Sequence, residues 1–312
     1  MMMENPTLKQ ILDHIPISVL ESTGDLNISL AGVHYDSREI KPGYLFVAIE
    51  GGTIDGHNFI DSAVKNGAAA VAGRRKPDSY LNLGVPYLQF EDTKAALGFL
   101  SAGFYGFPSR SMVIIGVTGT DGKTTTANLI YDILNEAGCK TGMISTVNAQ
   151  VGDEVLDTGF HVTTPEAPDV QYYLWRMKEA GLTHVVLEVT SHGLAQQRVT
   201  GVDFDIAVVT NITHEHFDYH KDYEGYIEAK GRLFEALGKS AKKSFFPNRL
   251  AVLNKDDKSF EYLKNITPVK QIHYSTLPGA DVWSESIDLQ MDGSRFKACS
   301  NSFEIEVFTH LP

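Results

Sequence analysis

The segment Ser111–Thr126, SMVIIGVTGTDGKTTT, carries residue types in the order needed to hold a polyphosphate. An apolar β-branched run, Val113-Ile114-Ile115, leads into a glycine-rich turn, and Lys123 with three threonines opens a helix-like stretch. Gly119 and Gly122 let the backbone approach phosphate oxygens, and helix N-terminal amides add a positive end. Lys123 supplies a point charge for β- and γ-phosphates, and the Thr124 hydroxyl can sit on Mg²⁺. The common G-x-x-x-x-G-K-[ST] spacing is not met, because Val117 stands five residues before Gly122. What stands there is G-x-x-G-T-x-G-K-T, from Gly116 to Thr124. The alternative is a tight strand-to-helix turn with a solvated lysine. The order strand, turn, Lys-Thr, helix favours a nucleoside triphosphate site.

Glu188 closes the apolar run Val185-Val186-Leu187-Glu188-Val189. Ligands of open α/β sheets bind at the carboxyl ends of strands, so this carboxylate either points toward the phosphate loop or caps the following turn. The polar loop Thr190-Ser191-His192-Gly193 comes next. The segment Thr210–His220, TNITHEHFDYH, is dense in metal-type ligands, and its H-x-H-x-D-x-H spacing resembles binuclear zinc hydrolases. Those enzymes usually place Asp and His adjacent and carry no phosphate loop, so metal or phosphate contact is the leading expectation for the cluster. Lys230 is an anomaly. It falls inside the apolar stripe Tyr223, Tyr226, Ile227, Leu233/Phe234, Leu237. Such a lysine either snorkels outward or sits partly desolvated, which favours the neutral amine. A neutral amine can react with CO₂ to give a carbamate, an anionic metal ligand that would stand beside Glu188 and His216.

These residues need a scaffold of alternating strands and helices. Residues 1–108 read as a small α/β domain, with strands Tyr44–Ala48 and Ala69–Ala72 and a helix over Phe59–Asn66 between them. Phe107-Pro108-Ser109-Arg110 marks a boundary. Residues 109–312 read as a second α/β domain with a mostly parallel sheet. Helices are expected over Thr124–Ala137, with Leu129, Ile130, Ile133 and Leu134 at helical spacing, over Ala167–Ala180 and over Tyr223–Leu237. Strands are expected over Thr183–Val189, Asp205–Thr210 and Leu250–Leu253, and an antiparallel hairpin beyond Ala280 around the turn Met291–Ser294. A formal charge of −12 argues against a nucleic-acid or anionic-membrane surface. Two cysteines far apart, Cys139 and Cys299, suit a reducing cytoplasm. No apolar run approaches the ~20 residues that span a bilayer, so no membrane partner is expected.

Taken together the motifs resemble the Mur ligase superfamily, over nearly the whole chain. TGTDGKTTT resembles its ATP loop, with Asp121 where asparagine is common, and VTTPEAPD (Val162–Asp169) its threonine-pair motif. LEVTSHGLAQQR (Leu187–Arg198) and TNITHEHFDYH followed by EAKGRLF are specific together, with Glu215 replacing the usual aspartate before His216. Tyr35-Asp36-Ser37-Arg38, Pro42-Gly43, Leu45–Ala48 and Asp55-Gly56-His57 resemble the family's uridine-diphosphate-binding domain.

The resemblance implies an ATP-dependent amide ligase of peptidoglycan synthesis. VTTPEA and EVTSHGL favour the step that adds a third amino acid, meso-diaminopimelate or L-lysine, to UDP-N-acetylmuramoyl-L-alanyl-D-glutamate through an acyl phosphate. It implies ATP on Gly119, Thr120, Asp121, Gly122, Lys123, Thr124 and Thr125. Thr124 with Glu188 would hold one Mg²⁺, and Glu188, His216 and carbamylated Lys230 a second. Ser37 and Gly52-Thr53-Ile54 would contact the uridine end, and Thr163, Thr164, Thr190, Gln196 and Arg198 the muramoyl-dipeptide. Relatives continue past the position of Pro312 into a third domain of roughly 100–150 residues that binds the amino acid. The central domain is thus expected to be incomplete at its end, and this chain alone to turn over negligibly. Rival expectations are a fourth-step or cyanophycin-synthetase-like ligase, a non-catalytic nucleotide-binding module, and a zinc hydrolase active without ATP.

Overall fold

A computed structural model describes residues 5–51, 54–80, 83–157, 164–213 and 222–310. The chain divides into two compact units. One is Met1–Ser109 with Pro165–Ala180 and Ala195–Val202, and the other is Arg110–Thr164 with Gly181–Leu194 and Asp203–Pro312.

In the first unit, β1 (Glu21–Thr23), β2 (Gly32–His34), β3 (Tyr44–Val47), β4 (Ala70–Gly73) and β5 (Tyr87–Gln89) form a sheet in the order β1-β5-β4-β3-β2. All pairs are parallel except β1 with β5. Strand alternation sends Leu45, Val47, Ala70 and Ala72 to one face, where Leu30, Leu97 and Leu100 meet them. Phe46, Ala48 and Val71 face the other way, against Ile60, Ala63 and Tyr87. Both faces are covered, as a parallel sheet requires. The expected helix near Phe59–Asn66 spans Ile60–Lys65, after a 3₁₀ turn at Gly56–Phe59. The helix Thr93–Phe104 starts at Asp92, whose carboxylate accepts from the amides of Lys94 and Ala95 at 2.9 and 3.0 Å. The helix Ala167–Glu179, begun by Pro168 in its first turn, packs on it.

The second unit is built on one long sheet. Its strands are β6 (Val113–Thr118), β7 (Thr141–Ile144), β8 (Asn148–Val151), β9 (Glu154–Asp157), β10 (His184–Glu188), β11 (Ile206–Val209), β12 (Leu250–Asn254), β13 (Lys270–Ser275), β14 (Val282–Gln290), β15 (Gly293–Ser300) and β16 (Glu304–Thr309). Across the sheet they run β9-β8-β7-β10-β6-β11-β12-β13-β14-β15-β16. The stretch from β7 to β14 is parallel. The expected antiparallel extension is present as β14–β15–β16. A second antiparallel pairing, β7–β8–β9, adds to the opposite edge and was not legible in the sequence.

β6 lies between β10 and β11, so the chain leaves it toward one side and later returns on the other. That makes the carboxyl end of β6 a topological switch point, where open α/β sheets bind ligands. The helix Lys123–Glu136 covers one face, over Val113, Ile115, Val117 and Val186. Of its expected apolar set, Ile130 and Leu134 turn inward while Leu129 and Ile133 are exposed, because four residues at i, i+1, i+4 and i+5 span more arc than one sheet contact covers. The helix Tyr223–Lys239 packs on β6 and β11. A Cβ at Gly116 would meet Leu233 Cδ1 at 2.9 Å, which fixes the close approach of strand and helix.

Candidate phosphate and carboxylate site

The phosphate turn follows β6 at the switch point. Gly122 takes φ +76° as the residue before the helix Lys123–Glu136 and contributes no capping side chain. The first-turn amides of that helix have no intrahelical partners, and an anion is the natural cap. Lys123 is half-buried and Thr124 and Thr125 are exposed, so the turn can be reached from solvent. Lys123 Nζ donates to the Thr120 carbonyl at 2.7 Å, folding back over the turn it is expected to serve.

The turn is clamped by the segment after β11. Asn211 O accepts from the Thr120 amide at 2.7 Å, and Asn211 Oδ1 from the Asp121 amide at 3.1 Å. Thr210 Oγ1 donates to the Asp121 carbonyl at 2.6 Å. Gly119 is required by this approach, since a Cβ there would lie 1.8 Å from Thr210 Oγ1. Thr210 is itself anchored. Its carbonyl accepts from Asn254 Nδ2 at 2.7 Å and from the Tyr274 hydroxyl at 2.9 Å. Burial, with the Asp257 and Asp256 carboxylates nearby, pushes the Tyr274 phenol up to about 12, so it stays a donor at neutral pH. Asp257 Oδ2 accepts from the Ile212 amide at 3.1 Å, and Thr120 Oγ1 from the Thr213 amide at 2.9 Å. Of these positioning residues, Asn254, Tyr274 and Asp257 went unread in the sequence. Their available signal was position, at or just past the carboxyl ends of β12 and β13.

Glu188 ends β10 in register with Val117 and is 2 % exposed. Thr124 Oγ1 donates to its carboxylate, at 3.0 Å to Oε2 and 3.2 Å to Oε1. The strand end therefore delivers a buried acid to the mouth of the turn rather than to a cap. Lys230 does not snorkel. It is 1 % exposed, its Nζ donates to the Gly119 carbonyl at 2.5 Å, and it lies 4.5 Å from the centre of the Tyr226 ring. The helix Tyr223–Lys239 thus turns its one inward lysine onto the phosphate turn.

Near Glu188, Thr164 and Thr190 share their hydroxyls at 3.1 Å, and the amides of Thr190 and Gly193 donate to Thr164 Oγ1 and Thr190 Oγ1. In the first unit, Arg198 is ion-paired with Glu166 at 2.8 Å and donates to Gln196 Oε1. Burial, with Glu166 and Asp169 adding to it, raises the Tyr35 phenol to about 12. Ser37 is buried, with its carbonyl accepting from Asn66 Nδ2 at 2.8 Å, and Ile54 is exposed. Gly52, Thr53, Thr163 and His216 lie outside the described residues. Among the described residues no group of three or more His, Cys, Asp or Glu side chains is arranged to hold a metal. Residues 214–220 are not among them.

The chain is similar to known proteins over most of its length. Residues 117–312 match the Mur ligase middle domain, and residues 29–105 match the Mur ligase family, catalytic domain. The chain is 39% identical over 268 residues to a UDP-N-acetylmuramoyl-L-alanyl-D-glutamate–2,6-diaminopimelate ligase of Bacillus velezensis, covering 86% of this chain and 53% of that protein. It is 42% identical over 278 residues to a UDP-N-acetylmuramyl-tripeptide synthetase of Roseiflexus sp., covering 87% and 54%. A solved structure of a UDP-N-acetylmuramoyl-L-alanyl-D-glutamate–2,6-diaminopimelate ligase superposes with a TM-score of 0.81 at 27% identity, over 99% of this chain and 60% of that one. The chain therefore spans a little over half the length of the relatives it matches. With the phosphate turn, its buried acid and its inward lysine on one switch point, the chain belongs to the Mur ligase family.

Proposed function

We propose that this chain carries the nucleotide- and muramoyl-binding part of an ATP-dependent amide ligase that adds the third amino acid to UDP-N-acetylmuramoyl-L-alanyl-D-glutamate. The observation that carries the proposal is the Thr124–Glu188 pair at the mouth of the phosphate turn. The names of the relatives support the third step and speak for 2,6-diaminopimelate as acceptor, with L-lysine the competing one. A UDP-linked precursor and ATP together make the cytoplasm the fitting compartment.

The first-turn amides and Lys123 would hold the β- and γ-phosphates, and the clamp through Thr210 and Asn211 would keep the turn from moving during transfer. Thr124 Oγ1 and the Glu188 carboxylate are hard oxygen donors of the kind Mg²⁺ takes. Lys230 is buried within reach of the turn and would, as a carbamate, be a ligand to a second ion with Glu188 and His216. Bound Mg²⁺ would supply charge neutralisation on the transferring phosphoryl group. A substrate carboxylate oxygen would attack the γ-phosphorus with ADP leaving. The acceptor amine would then attack the acyl carbon and release phosphate as the amide forms. In the second unit, Thr164 and Thr190 would hold the muramoyl-dipeptide.

Calorimetric titration of the chain with ATP tests this. Binding should require Mg²⁺ and weaken tenfold or more in Glu188→Gln, with an unchanged unfolding midpoint. Wild-type affinity in that variant, or affinity indifferent to Mg²⁺, refutes the assignment. Product mass from the whole protein, offered each diamino acid, decides the acceptor.

A further inference from the structure

The last side chain of β6 is Thr118. It is 0 % exposed, and its Oγ1 has no hydrogen-bond partner among the described residues. Its carbonyl accepts from the Thr210 amide at 3.0 Å. A buried hydroxyl left unpaired is disfavoured, and in native structures such groups are few and have a reason.

Its placement narrows the reason. Thr118 lies two residues beyond Gly116, on the same face of β6, and that face is the one packed against Leu233. Lys230 sits three residues before Leu233 on the same side of the helix Tyr223–Lys239. Its Nζ reaches the carbonyl of Gly119, the residue next to Thr118. The hydroxyl and the lysine therefore share one buried corner beneath the phosphate turn. As an amine, Lys230 answers Gly119 but brings no acceptor when protonated. Among the described residues no acceptor pairs with the threonine O–H.

We propose that Thr118 is a positioning residue for the Lys230 carbamate, its hydroxyl donating to a carbamate oxygen and fixing the orientation of that group. The inference rests on the carbamate assigned above. Formation needs only CO₂. The neutral Nζ bonds the carbon, one C=O pair moves onto oxygen, and an Nζ proton leaves to water. The product carries two acceptor oxygens and keeps one N–H, so the bond to Gly119 survives while Thr118 gains its partner.

The test uses this chain with ¹³C-bicarbonate over a range of CO₂ concentrations, read by ¹³C NMR. A carbamate resonance is expected in the parent and absent in Lys230→Met. Thr118→Val should need about tenfold more CO₂ for half occupancy, the weight of one charge-assisted hydrogen bond. Thr118→Ser should stay within about twofold of the parent, because it keeps the hydroxyl. In CO₂-free buffer Thr118→Val should melt no lower than the parent, since it removes only an unpaired group. An unchanged CO₂ dependence in Thr118→Val, with the resonance still lost in Lys230→Met, overturns the role of Thr118 and leaves the carbamate standing. A parent that shows no Lys230-dependent resonance overturns both. A lower melting temperature of Thr118→Val without CO₂ reveals a structural partner and also overturns the proposal.

Discussion

Gly119→Ala isolates the contact on which the phosphate turn depends. The added methyl would stand 1.8 Å from Thr210 Oγ1, at a backbone φ of +153° that disfavours any side chain, while ordinary contact begins at 3.4 Å. Thr210 cannot simply rotate away, because its Oγ1 holds the Asp121 carbonyl at 2.6 Å and its own carbonyl is held by Asn254 and Tyr274. The turn must therefore shift by well over an ångström. Misplacement on that scale costs up to about 10²-fold where geometry governs function, and the forced overpacking costs about 1–3 kcal/mol of stability. The expected result is a tenfold to hundredfold weaker Mg·ATP dissociation constant, measured by calorimetry on a variant shown to be folded. Adding Thr210→Ala removes the 1.8 Å contact and leaves nothing nearer than the 3.1 Å approaches to Thr210 Cβ and Asn211 O. The double variant should thus bind more tightly than Gly119→Ala alone, although Thr210→Ala by itself weakens the clamp. Parental affinity in Gly119→Ala, or no recovery in the double variant, refutes the reasoning.

Two further outcomes concern stability. Lys243 and Asp205 are each 1 % exposed and paired at 2.5 Å, and Lys243 Nζ also donates to the carbonyls of Met112 and Asp203. Burial lowers the lysine and raises the carboxyl from their ordinary values, so neither charge is comfortable without the other. Lys243→Met should cost about 3–5 kcal/mol in urea unfolding, with much of it recovered by adding Asp205→Asn; a loss below about 1 kcal/mol would contradict the buried pair. At Asp92, burial raises the carboxyl, but bonds from Ala95, Gln197 and Lys94 outweigh it and leave it below 3.8. A carboxyl lowered on folding stabilises above its unfolded value and stops doing so as pH falls through the folded one. Asp92→Ala should therefore cost about 1 kcal/mol at pH 7 and progressively less below pH 3.8; an equal cost at pH 7 and pH 3 would refute the role of the charge.

Much of the second unit was legible because its signals are local. The run Val113–Thr118, the glycines and Lys123–Thr124 specify a strand, a turn and a helix start within a dozen residues. Lys230 was visible as an intruder in an apolar stripe, since helical period alone shows which residues face inward. The alternation in the antiparallel extension was readable for the same reason. The β8–β9 pairing was not, because NAQV and EVLD are short and only partly apolar, and edge pairing depends on neighbours. Leu129 and Ile133 show the converse limit, since apolar character fixes a stripe but not how wide a surface it meets.

By itself the sequence determined the identity of the chemical groups and their order along the chain, and its motifs were specific enough to mark the family. Only the tertiary structure decided which strand lies beside which. Placing β6 between β10 and β11 brings Glu188 to Thr124 and Thr210 to Gly119 across gaps of 64 and 91 residues. The same packing chose between two conformations open to Lys230, sending it inward onto Gly119 rather than out to water. Such choices rest on contacts between residues far apart in the chain, and local propensity carries no record of them.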